Sequence, residues 1–79
     1  MDELMRNFIK DLVKLLREKY NISLSEVSGE TEIEKSFRLG SNFAYYDALD
    51  IIESQFKSYG LDYESIGKVT PILGKLAKE

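Results

Sequence analysis

The chain has no cysteine, no histidine and no tryptophan, and only one proline among its 79 residues. The missing thiols and imidazoles exclude disulfides, thiolate nucleophiles, imidazole bases and the usual zinc ligands. Most enzyme chemistry goes with them. No nucleophile paired with a base can be named, so the expectation is a non-enzymatic protein with no cofactor and no metal. No apolar run approaches the roughly 18 residues of a membrane span. Asp2 and Glu3 stand where a signal peptide carries its basic head, and a cytoplasmic protein away from the membrane is expected. Neither charge sign dominates. The balance of 11 Lys and Arg against 14 Asp and Glu, a net of −3, marks neither a nucleic-acid binder nor an extreme polyanion.

What is present is an ordinary apolar share of 43%, enough to fold as one domain, 1–79. A chain this short buries only roughly 60% of its unfolded surface, so partner contacts are the expected supplement. From Met1 to Tyr20, the apolar residues Met1, Leu4, Met5, Phe8, Ile9, Leu12, Val13, Leu15, Leu16 and Tyr20 recur at threes and fours. That spacing predicts an amphipathic helix over about 2–20, with one wide stripe to bury. A folded connector follows over about 21–31, where Ser23 with Glu26 resembles a cap on a single turn.

The second helix is expected over about 32–59. Thr31 and Glu34 are spaced as a capping box, and Gly60 with Leu61 and Phe56 fits a Schellman ending. Gly40 is its weak point, because a mid-helix glycine marks a place to kink. Beyond Gly60, Asp62 can cap a turn through Tyr63 and Ile66, and Thr70 can cap a last short helix whose first residue is Pro71. Ile72, Leu73 and Leu76 would dock that helix on the core. The order Tyr20-Asn21-Ile22-Ser23 echoes Tyr59-Gly60-Leu61-Asp62, which reads as shared helix-ending chemistry. The predicted architecture is all-α: two long antiparallel helices, a connector and short helical segments over about 62–78, bundle-like and paired as a homodimer.

Four groups carry the candidate functions. Leu39, Phe43 and Tyr46 form an apolar stripe away from the main arc of the second helix. They are the expected interface, against the alternative that the C-terminal segment folds over them. Gly40, Ala44 and Ala48 form a line of small residues suited to a tight crossing with the first helix, or to an incoming helix if Gly40 faces outward. Asp47, Asp50 and Glu53 form an acidic patch that reads first as a solubilising face and second as an imitation of a phosphate backbone. Arg6, Lys10, Lys14 and Arg17 form a basic ridge; Glu3, Asp11 and Glu18 share its surface, so solvated pairing outweighs phosphate binding. A DNA-reading second helix is disfavoured because its carboxylates would repel phosphate.

The run from Gly40 to Ile52, centred on Ala44-Tyr45-Tyr46-Asp47-Ala48-Leu49-Asp50, together with Tyr59-Gly60-Leu61-Asp62, resembles short helical proteins of Gram-positive bacteria and their phages or mobile elements. The resemblance covers about half the chain and implies an accessory, protein-binding role without an assigned activity. The functional expectation is therefore a self-associating protein–protein interaction module. Its alternatives are a phage-type inhibitor presenting the acidic patch to a nucleic-acid-handling protein, and a nucleic-acid-binding regulator using the basic ridge.

Overall fold

Asp2 opens the first helix: its carboxylate accepts the Met5 amide at 2.8 Å, and α1 then runs Glu3–Leu24. The computed structural model describes residues 2–62 and 64–78, among which there are two long helices and no strand. The expected roles of Met1 in the first stripe and of Tyr63 in the turn after Asp62 lie outside the described residues.

α2, Glu32–Ser58, begins with the capping box. The Thr31 hydroxyl accepts the Glu34 amide at 3.1 Å, and the Glu34 carboxylate accepts the Thr31 amide at 2.9 Å. The other end closes as the sequence predicts. Gly60 turns to φ +65°, its amide donates to the Lys57 carbonyl, and the Leu61 amide donates to Phe56. α2 is continuous through Gly40, with no break there.

α1 runs four residues past the expected end at Tyr20, and the cause lies on the other helix. A helix terminus leaves carbonyls without partners, and here α2 supplies them. Asn42 donates to the Tyr20 carbonyl at 2.9 Å, and the Arg38 guanidinium donates to the Ser23 and Leu24 carbonyls at 3.0 and 3.2 Å. Ser23 caps no new turn; its hydroxyl bonds back to the Tyr20 carbonyl and accepts from Asn42. The resemblance between residues 20–23 and 59–62 is therefore one of composition only, since the helix passes straight through the first. These bonds also establish that the helices are antiparallel, with Tyr20 beside Asn42 and Leu24 beside Arg38.

The last segment departs furthest from expectation. One 3-10 turn, Glu64–Ile66, is followed by an irregular strap over 67–78 with no helix in it. Thr70 does not cap: its hydroxyl donates to the Leu49 carbonyl and its amide to a Glu53 carboxylate oxygen at 3.3 Å. Gly74, at φ +86°, sits third in a tight turn closed by the Lys75 amide on the Ile72 carbonyl. Three α1 side chains hold the strap by its backbone. The Arg17 guanidinium donates to the carbonyls of Lys68, Val69 and Lys78. The Tyr20 hydroxyl meets the carbonyls of Ile72 and Lys75 and accepts the Gly74 amide. Asn21 brackets Ala77, donating to its carbonyl at 3.0 Å and accepting its amide at 2.7 Å. Main-chain groups satisfied in this way have no need of a helix.

The core is small: Val13, Tyr20, Leu49, Phe56 and Val69 are buried, with Ile9, Leu16, Tyr45 and Ile52 among those packed on them. The strap reaches this core through Val69 and Ala77. Ile72, Leu73 and Leu76, expected to dock, remain exposed. The result is a helical hairpin 46 Å long and 20 by 16 Å in section, with the strap lying against one side.

Candidate interaction face

At 100° per residue, the α1 side chains that reach α2 and those that hold the strap occupy neighbouring arcs, and a third arc opposite the strap is left over. Met5, Phe8, Leu12, Leu15 and Ile22 lie on it, and all are exposed. On α2, the arc opposite Glu53 and the strap holds Ile33, Phe37, Gly40, Ala44 and Ile51, exposed as well, with the exposed Asp47 at its edge beside Gly40. Because the helices are antiparallel, the two arcs lie on the same side of the hairpin. At the connector end a groove joins them: Ile22 of α1, Val27 of the connector and Phe37 of α2 line one hollow together with Lys19, Glu34 and Ser41. Ile33 and Phe37 are 83% and 78% exposed, values at odds with a face meant for water.

The connector end of this face is held rigid by an ion pair. Arg38 donates from Nε to one Glu30 oxygen at 3.0 Å and from Nη2 to the other at 2.8 Å. That two-point hydrogen bond from Arg38 holds the Glu30 carboxyl below the usual carboxylate range, and Glu30 in turn raises the Arg38 guanidinium. Since Arg38 also caps α1, one side chain joins both helices and the connector.

The sequence-derived groups fare differently. Leu39 and Phe43 are exposed, and Phe43 contacts Tyr46 with ring centroids 6.2 Å apart. Tyr46 itself is half-buried against the core. The strap therefore leaves Leu39 and Phe43 open. Gly40 and Ala44 do not lie in the α1–α2 crossing: both are exposed, and a Cβ added to Gly40 would meet nothing within 4 Å. Of the three small residues expected in the crossing, Gly40 and Ala44 face outward and Ala48 is half-buried.

The acidic patch is divided. Asp47 and Asp50 are exposed, whereas Glu53 is half-buried, accepts the Thr70 amide and pairs with Lys57 at 3.3 Å. The basic ridge is divided too. Lys10 and Lys14 are exposed, Arg6 is half-buried, and Arg17 turns inward to 8% exposure beneath the strap. Lys10 and Lys14 share a hollow with Lys68 and Lys78, but also with Asp11 and Glu18, so its field is mixed. Among the described residues, no three His, Cys, Asp or Glu side chains are placed to hold a metal ion, and no helix is long and apolar enough to cross a membrane.

Sequence reasoning placed Met5, Phe8, Leu12 and Leu15 in one buried stripe. The signal that separates them is the spacing of Phe8, Leu15 and Ile22 by sevens, with Met5 and Leu12, also seven apart, each three residues ahead of a member, which is the seam of a helix facing a second neighbour. A stripe covering half the circumference is too wide for a single partner helix. The chain exposes 5869 Å², whereas a compact monomer of 9.1 kDa exposes roughly 4,900 Å². The excess is about the area one partner hides in a stable interface, ~800 Å². No protein-family model matches the chain, and no curated protein and no solved structure matches it either.

Proposed function

We propose that this chain is a small, non-enzymatic protein–protein interaction module that works through the open face of its hairpin, between α1 and α2 and opposite the strap. The observation that carries this reading is the row of exposed apolar side chains that both helices present on one side of the hairpin, about half of the large apolar residues left exposed. Burial of apolar surface drives association at roughly 25 cal/mol per Å² before the costs of ordering, and a face of this composition gains little from water. The Glu30–Arg38 pair and the Asn42 bonds preorganise it, so that little conformational entropy is lost on binding. The acidic-mimic alternative rests on Asp47 and Asp50 alone once Glu53 is engaged, and the nucleic-acid alternative loses Arg17 to the strap.

An apolar fluorescent dye, anilinonaphthalene sulfonate, tests the reading at low chain concentration. Dye binding that falls on Phe8→Glu with Phe37→Glu, but persists on Asp47→Asn with Asp50→Asn, supports it. Binding that is absent, or indifferent to the first pair, refutes it.

A further inference from the structure

We infer that the occupant of the open face is a second copy of this chain, seated face to face about a two-fold axis that runs along the hairpin and closes a four-helix bundle. This rests on the interaction-module reading and names its partner. Three observations lead to it.

The first is area. Scaled by their exposed fractions, the nine large apolar side chains of the face present roughly 900 Å², taking about 170 Å² for a fully exposed one, against ~800 Å² per partner in a standard interface. One copy matches what another needs to hide.

The second is a difference between the two helices of the face at equal height. Because Asn42 reaches Tyr20 and Arg38 reaches Leu24, Ile22 of α1 lies level with Gly40 of α2, and Leu15 lies level with Asp47. At the first of these levels a bulky residue on one helix stands beside a glycine on the other. A two-fold axis along the hairpin preserves heights and sets each α1 against the partner's α2, so Ile22 faces Gly40. A perpendicular axis in the interface would set α1 against α1, bulk against bulk. The first arrangement satisfies both copies at once, as an isologous pair requires.

The third is Gly40 itself. A glycine inside a helix is less favourable than alanine, and a Cβ at this position would stand in open space. The position lets a partner helix approach closely. Seams with three-and-four spacing on both helices then pack at the shallow angle of a bundle.

Light scattering across a concentration series, with circular dichroism to verify folding, tests the inference. The wild type is expected to double in mass. Leu15→Glu should raise the dissociation constant at least roughly 100-fold, because it buries a charge without a partner; Gly40→Leu should raise it roughly tenfold by overfilling the slot; Phe43→Glu should leave it unchanged. If Leu15→Glu fails to fold, Phe37→Glu, at a more exposed site, replaces it with the same expectation. A chain that stays monomeric while the dye binds as described overturns the second copy but spares the interaction-module reading. A monomer that does not bind dye removes both. A dimer broken by Phe43→Glu and not by Leu15→Glu, a dimer indifferent to Gly40→Leu, or open-ended oligomers would each overturn this arrangement.

Discussion

Tyr20→Phe isolates the attachment of the strap from the packing of the core. The Tyr20 ring is fully buried between the helices, and phenylalanine preserves its shape, so the substitution removes only the hydroxyl. That hydroxyl has one hydrogen, shared between the Lys75 carbonyl at 2.7 Å and the Ile72 carbonyl at 3.1 Å, and it accepts the Gly74 amide at 3.1 Å. The loss is therefore about two hydrogen bonds, each worth roughly 1 kcal/mol net, or ~2 kcal/mol in all. It should fall on the strap rather than on the hairpin, whose own bonds are untouched. Amide hydrogen exchange reads both: Gly74, Lys75 and Ala77 should exchange roughly 30-fold faster, while amides near Val13 and Leu49 keep their rates. Uniform acceleration through α1 and α2 would show that the strap and hairpin fold as one unit, and no acceleration at all would show that the hydroxyl is not what holds the turn.

Arg17→Met should loosen the strap by about 2–3 kcal/mol, since three carbonyls lose a charged donor, and Arg17→Lys should restore little of it; a melting temperature within a degree of wild type contradicts this. Glu30 has a lowered folded pKa, so its contribution to stability is complete above the unfolded carboxylate value and disappears as pH falls through the folded one. Urea midpoints should therefore drop between neutral pH and pH 3 by less in Glu30→Gln than in wild type, and parallel curves would dismiss the pair. Gly40→Ala should stabilise the isolated chain by about 1 kcal/mol, whereas Gly60→Ala, at φ +65°, should destabilise it by a similar amount; thermal melts at low concentration decide both signs.

How far the fold was legible follows the range of the interactions that made it. Thr31 with Glu34, and Gly60 with Leu61, bond within one turn of their neighbours, and the sequence locates them. The end of α1 depends on Asn42 and Arg38, partners 14 to 22 residues away, and local spacing stops the helix four residues early. The strap shows the same limit more strongly. Thr70-Pro71 has the grammar of a helix start, yet Arg17, Tyr20 and Asn21 satisfy its backbone from across more than 50 residues, and that competition decides the outcome. The site was half legible: the surplus of apolar helix surface is visible in the sequence, but Leu39 and Phe43 drew attention to one side while the wider first stripe already contained the other.

Arg17, Tyr20 and Asn21 grip amides and carbonyls, never a side chain of the segment they hold. Such a clasp is indifferent to most of the letters it fastens, Gly74 and the core-facing Val69 and Ala77 apart. The outward residues Ile72, Leu73 and Leu76 are thus free to change by mutation without unfastening anything, and the chain carries on its back a surface whose chemistry can drift while its anchorage stays the same.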